Sequence, residues 1–295
     1  MKDFLQILIV GIGDGSVYAM LGLGLVVIFR STGVLNFAQG EIAMFSTFVV
    51  WTIHDLGVPM WLAVIGGMAG GFIIGAIIHE VAVRPVGDPH QKPLAVVIVT
   101  IGLFLGVNGA AQLIWGTVDR RFDPLFGSGS VNVAGVPIAW QKIGAMVVLG
   151  AIAFLFFVVF QKTKLGLAMR AVASNSESAG LVGIPVPRLL MLGWGFAAAV
   201  GTVAGVFTTS VLGGLGPNLM QLTLIFGFAA ITLGGFDSLV GAIVGGLIVG
   251  VLTSTLPRYV EQFEKMPLAP AFILILLVLL IRPQGLFGKK DVTRV

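Results

Sequence analysis

The chain has 295 residues, 57% of them hydrophobic and 10% charged, with a mean hydropathy of +1.05 and a formal net charge of +4. A soluble domain carries about 25% charged residues, so this composition excludes a water-surrounded globule and leaves a membrane protein. The absence of cysteine excludes disulfides, thiolate metal sites and cysteine nucleophiles, and basic excess in such a chain reports topology rather than nucleic-acid binding.

Nine apolar segments follow in order, at about 4–29, 37–53, 60–80, 94–115, 140–161, 189–212, 219–235, 238–256 and 268–281. Lipid leaves backbone amides without partners, so these segments are expected to be helices in an all-α, polytopic transmembrane bundle. Residues 1–29 read as a retained first span, because the apolar stretch is too long for a signal peptide and no A-x-A-like site follows it. Within that span Asp14, in Gly11-Ile12-Gly13-Asp14-Gly15, is an ionisable group at depth and therefore a functional candidate. The same letters spell a loop of intramembrane aspartyl proteases, which need a second membrane aspartate. The other candidate, Asp237, falls at a turn, so Asp14 is expected to bond a neighbouring helix or to line a wet cavity.

Before the second segment, Asn36 and Gln39 have capping-box spacing. A helix is expected to begin there, at the cytoplasmic face, with Glu41 in its first turns as a cap or as a contact for gating. Turns at Gly57-Val58-Pro59 and Arg84-Pro85 bound the third segment. The three histidines, His54, His79 and His90, fall at membrane edges or loops and are far apart in sequence, which argues against a metal site. Of the forty-two glycines, many stand four apart, among them Gly11/Gly15, Gly71/Gly75, Gly102/Gly106, Gly201/Gly205 and Gly246/Gly250. That spacing puts small residues on one helix face, for close packing or for sliding.

The segment Lys162 to Arg188 is the one long polar stretch between spans. Ser174 or Asn175 can cap a short helix there, with Glu177 in its first turn and Ala179, Val182 and Gly183 on one small-residue face. Pro185 and Pro187 are expected to end it. A rigid, capped knob of this kind suits contact with a cytoplasmic motor. The chain encodes no motor itself: Gly288-Lys289 lacks the rest of a phosphate loop, and no nucleophile–base pair or carboxylate pair can be assembled.

The basic residues set the expected orientation, with the N-terminus outside and the C-terminus cytoplasmic. The inner side then holds Arg30, Arg84, Lys92, Lys162, Lys164, Arg170, Arg188, Arg282, Lys289, Lys290 and Arg294. The outer side holds the other six, offset by six acids. The short segments 219–235 and 238–256 are the weak point, as a re-entrant pair would also fit them.

The chain resembles the H-type permease subunits of bacterial branched-chain amino acid ABC importers, nearly end to end. The resemblance rests on Tyr18-Ala19-Met20, on Gly33-Val34-Leu35-Asn36-Phe37-Ala38-Gln39-Gly40-Glu41 and on Gly166-Leu167-Ala168-Met169-Arg170-Ala171. Gly234-Gly235-Phe236 and the closing Arg282-Pro283-Gln284-Gly285-Leu286-Phe287-Gly288 complete it. Glu177-Ser178-Ala179 followed by Gly183 looks like the E-A-A-x-x-x-G pattern by which importer permeases contact their ATPases, with Ser178 in place of Ala.

The resemblance implies one permease domain over 1–295, in a bacterial inner membrane, with no catalytic residues, metal or cofactor of its own. Its implied partners are a paralogous M-type permease, two ATP-binding subunits that hold ATP and magnesium, and an extracytoplasmic binding protein. Arg170, Glu177, Ala179 and Gly183 are then the expected ATPase-coupling residues, and Asp14, Tyr18, Asn36, Gln39 and Glu41 the expected polar lining of the pathway. Urea and amide importers share the architecture, so the solute stays open, and a stand-alone gradient-driven carrier is the alternative from another class.

Overall fold

A computed structural model describes residues 2–89, 91–133 and 135–288; His90, Lys289, Lys290 and Arg294 of the sequence reading lie outside them. Each of the nine apolar segments is a helix: α1 (Lys2–Thr32), α2 (Gln39–Asp55), α3 (Met60–Ile78), α4 (Pro93–Trp115), α5 (Trp140–Lys162), α8 (Val186–Leu212), α9 (Gln221–Gly234), α10 (Leu239–Tyr259) and α12 (Ala269–Ile281). The polar segment folds as α6 (Lys164–Ser174) and α7 (Ser176–Leu181), and α11 (Glu261–Glu264) is a single turn. Among the described residues, six helices are long and apolar enough to cross a membrane: α1, α3, α4, α5, α8 and α10. The helices α2, α9 and α12 are shorter, at 17, 14 and 13 residues.

One element departs from the all-helical expectation. Between α4 and α5 an antiparallel hairpin pairs β1 (Ser130–Val133) with β2 (Val136–Ala139), with Ser130 opposite Ala139 and Val133 opposite Val136. Runs of four residues are too short to leave a readable alternation in the sequence. The segment ahead of the hairpin is tied to the bundle. Arg120 bridges Leu215 through reciprocal backbone bonds of 2.9 Å, and its guanidinium lies 4.4 Å from the centre of the Trp51 ring.

Helix α1 is the axis, packed against α8, α9 and α10. Its contact with α10 is built on glycine. A Cβ on Gly15 would stand 2.7 Å from the Gly246 carbonyl oxygen and 2.8 Å from the Leu247 Cα, and one on Gly11 2.8 Å from the Val251 Cα. No side chain fits between two backbones this close. Along α8, Gly201 meets Ala43 of α2 and Gly75 of α3 meets Ala198, so α8 is gripped from two sides. By contrast, Gly102, Gly106 and Gly109 of α4 face nothing within 4 Å. Four-residue spacing alone therefore did not separate internal seams from an open face.

The closing motif docks on the end of α9. Leu286 N–H donates to the Leu233 carbonyl at 2.8 Å and Phe287 N–H to Gly234 at 2.9 Å. Gly235 and Gly285 have φ of 109° and 72°, where a side chain is strained. Two segments that carried the family resemblance thus form one tie.

These contacts predict a contrast between two alanine substitutions. Gly15→Ala overpacks the α1–α10 seam and costs about 1–3 kcal/mol. Gly102→Ala meets open space and is neutral or stabilising by up to roughly 1 kcal/mol. Thermal unfolding of the detergent-purified protein measures both, and equal effects would contradict the seam.

Candidate functional site

The sequence placed the start of α2 at the cytoplasmic face; the structure places it inside the bundle. The Gln39 amide donates to the Ala197 carbonyl of α8 at 2.9 Å and lies so close to Gly24 of α1 that a Cβ there would be 2.9 Å from its nitrogen. At 1.5 Å per residue, Gly24 is roughly 12 Å from the Thr32 end of α1 and Ala197 roughly 16 Å from the Val186 end of α8. The chain therefore turns at the Thr32 end of α1 and starts α2 roughly 12 Å back along it, inside the bundle. Helix α9 also begins at depth, since a Cβ on Gly40 would stand 3.2 Å from Leu224 and 3.4 Å from the Met220 carbonyl. Two helix starts meet at one break in the middle of the protein.

The break carries the polar residues. Asn36, Gln39 and Glu41 are each at most 1% exposed. The Asn36 side-chain oxygen accepts from Ala38 N–H at 3.0 Å, and its nitrogen donates to Gln39 Oε1 at 3.4 Å. This is an Asx turn leading into the helix rather than a capping box, because the residue ahead of α2 is Ala38, which has no side-chain cap. Met220 ahead of α9 has none either. Both helices thus turn their positive ends toward the break without a side-chain cap, and Glu41 lies in the first turn of one of them.

Glu41 accepts from Asn108 Nδ2 of α4 at 2.9 Å. The same nitrogen donates to the Pro217 carbonyl at 2.9 Å, and Gln112 donates to Asn108 Oδ1 at 2.5 Å. Next to this chain lies a cavity of about 330 Å³ lined by Gln112, Asp119, Pro217 and Asn218. A polar track therefore runs from that cavity through Gln112 and Asn108 to a buried carboxylate. Sequence reasoning missed Asn108, though Asn108 and Gln112, one turn apart in an apolar helix, were its available signal.

Asp14 and Tyr18 stand apart from this cluster. Asp14 pairs with Lys142 in the first turn of α5, and Gly13 leaves room for the lysine stem. Bonding to a neighbouring helix is thus the role the geometry gives Asp14. Tyr18 packs its ring 4.8 Å from Phe226 of α9. Phe236, next to Asp237, packs its ring 5.3 Å from that of Phe29, fifteen residues beyond Asp14 and roughly 22 Å along α1, so the two aspartates cannot share a proton.

The second candidate region is the α6–α7 hairpin. Thr163 caps α6 by accepting from Gly166 N–H at 3.1 Å, and Asn175, not Ser174, caps α7 by accepting from Ser178 N–H at 2.8 Å. Helix α7 ends in a Schellman motif: Gly183 N–H bonds the Gly180 carbonyl and Ile184 N–H the Ala179 carbonyl, both at 3.0 Å, with Gly183 at φ +87°. Gly183 therefore stops α7, while Pro185 and Pro187 stand at the start of α8. The four sequence candidates split between two faces. Ala179 is buried and Arg170 reaches back to Gln161 and the Gly166 carbonyl. Glu177 and Gly183 are exposed. Beside them Leu181 and Val182 are 84% and 77% exposed, an apolar tip on an otherwise polar hairpin.

A family model described as branched-chain amino acid transport system / permease component matches residues 7–281. The chain is similar to the high-affinity branched-chain amino acid transport system permease protein LivH of Salmonella typhimurium, at 31% identity over 99% of this chain and 98% of that one. It is similar to the corresponding protein BraD of Pseudomonas aeruginosa at 30% identity, again over 99% and 98%. A solved chain of PsaBC from Streptococcus pneumoniae in complex with Fab is similar over 95% of this chain and 92% of that one, with 17% identity and a TM-score of 0.49.

The Glu41–Asn108 bond is testable by itself. Asn108→Leu leaves a buried carboxylate without its donor and costs roughly 1.5–3 kcal/mol. Adding Glu41→Leu restores part of that loss, because the buried carboxylate is then gone and only the Pro217 carbonyl has lost its donor. A double-mutant cycle on thermal stability should give a coupling of about 1 kcal/mol or more; additive losses would remove the bond from the account.

Proposed function

The chain belongs to the family of permease components of branched-chain amino acid transport systems, and from that premise we propose that it forms part of the solute pathway of an ATP-driven importer. The observation that carries this reading is the polar track at the interrupted helices, in a bundle that is otherwise soluble in lipid. Irregular backbone at membrane depth is tolerated where protein covers it or where it lines a wet cavity. Helix starts at such a break attract a carboxylate, while Glu41 attracts an ammonium. An aliphatic amino acid carries both groups and an apolar side chain suited to the surrounding walls. Asn36, Gln39, Glu41 and Asn108 are the proposed lining, with Asp14–Lys142 and Tyr18 toward its outer end.

In this reading the chain works as one permease domain with nine crossings, N-terminus outside and C-terminus cytoplasmic. The crossing that contains α9 is completed by the extended segment ahead of it. A paralogous M-type permease supplies the other wall, an extracytoplasmic binding protein delivers the solute, and two ATP-binding subunits hold ATP and magnesium. The chain itself needs no cofactor and performs no catalysis. The α6–α7 hairpin is the coupling element: Leu181, Val182 and Gly183 face the motor, Glu177 lies at the edge beside the turn after α3, and Ala179 and Arg170 hold the hairpin to the bundle.

Uptake in a strain deleted for the importer and complemented with the chain tests this function. Labelled leucine should accumulate and labelled urea should not. Leu181→Asp charges the apolar tip, and Gly183→Val strains the left-handed stop by about 1–2 kcal/mol. Each should lower uptake at least tenfold and lose the co-purifying ATPase, with unchanged protein in the membrane. Full uptake in both variants would contradict the coupling role.

A further inference from the structure

A second cavity, of about 350 Å³, lies between the turn after α3 and helix α7. That volume sits at the low end of the roughly 300–1,000 Å³ of small-molecule sites. One wall is a π-helical turn, His79–Val83, followed by a 3-10 turn, Arg84–Val86; π turns are rare and concentrate at functional sites. The opposite wall is Ser176 and Glu177 of α7, and Val186 and Leu190 of α8 join Val83 as an apolar floor.

His79 lines this cavity and is 1% exposed, yet its Nδ1 has no hydrogen-bond partner among the described residues. The nearest carboxylate oxygen, on Glu80, is 3.6 Å away, beyond hydrogen-bond range. A buried nitrogen without a partner carries a desolvation cost that a ligand can relieve. Glu80, outside the lining, holds the Arg84 guanidinium at 2.5 Å, while Asp88 on the same side as Arg84 and Glu177 on α7 add carboxylates to the lining. The cavity thus offers a cation, a ring nitrogen, two carboxylates and an apolar floor.

We propose that this cavity binds an aliphatic α-amino acid from the cytoplasmic side and pins α7 to the bundle, so that accumulated product slows transport. The carboxylate meets Arg84 and His79 Nδ1–H, the ammonium meets Glu177, and the side chain lies on Val83, Val186 and Leu190. Of α7's own residues only Ala179 is buried, so a ligand bridging to the π turn adds substantially to its attachment. A ligand that bridges two elements favours the arrangement in which both contacts exist and resists the movement that separates them. The orientation and the solute class rest on the function proposed above.

The test uses the complete importer in proteoliposomes, with the α7 side outward and the binding protein and leucine inside. Leucine added outside should lower the binding-protein-stimulated ATPase rate at least threefold. Val83→Trp fills the floor and Arg84→Gln removes the cation from an exposed position that does not threaten folding. Each should raise the inhibiting concentration at least tenfold, with inhibition normalised to the variant's own rate. Equilibrium dialysis of labelled leucine, without binding protein, should show one saturable site per copy that the same variants weaken. Unchanged inhibition in Arg84→Gln, or none in the unmodified complex, overturns the proposal. Leucine transport without inhibition overturns the cavity alone; absent leucine transport overturns the solute reading, and the dialysis then decides the cavity.

Discussion

The rest of the structure depends on satisfying two helix starts at the middle of a lipid-soluble bundle. Hydrocarbon offers no partner to an N–H or a carbonyl, so backbone that leaves the helix at depth has to be covered by protein or water. The turn from Gly33 to Ala38 is covered by its own Asx bond and by the Gln39 amide on Ala197. That amide reaches α8 only because Gly24 and Gly201 leave its path open. The glycine content and the polar cluster are therefore one device: small residues bring helices close enough for a few amides to close the gap.

The same arrangement links the two ends of the molecule through α8. Its start follows α7 directly through Ile184 and Pro185, and its middle accepts the Gln39 bond at Ala197. Packing against α2 on one side and α3 on the other makes α8 a stiff element between hairpin and break. In the proposed importer, a movement of α7 reaches the pathway through this helix over roughly 16 Å, without a chain of loop rearrangements.

The sequence was most legible where physics is least ambiguous. All nine apolar runs became helices at nearly the expected bounds, because length and hydropathy decide helix formation in lipid. Local cap chemistry was readable in part: Asn175, one of the two cap candidates, caps α7, whereas the stop expected at Pro185 and Pro187 falls on Gly183 and the prolines begin α8. Depth was not readable. Asn36, Gln39 and Glu41 look like an interfacial cap until Gly24 and Ala197, distant in sequence, show that they lie inside. The partners of the Asp14 and Glu41 carboxylates were hidden for the same reason. Lys142 was counted as an outer charge, and Asn108 was not singled out at all. The facing of the hairpin also escaped, since Ala179 and Val182 share spacing but not a side of the chain.

The chain's lack of cysteine allows a direct measurement of the central claim, that the break after α1 is the wet path of the solute. Phe37→Cys places a thiol on the partly exposed residue of that turn, and Phe154→Cys places one on the exposed apolar face of α5. The rate of modification by a small, charged methanethiosulfonate reagent in the assembled importer is then compared with and without ATP. The account predicts that the thiol at 37 reacts and that its rate changes at least fivefold with nucleotide, while the thiol at 154 stays unreactive. A thiol at 37 that resists the reagent in every nucleotide state would contradict it.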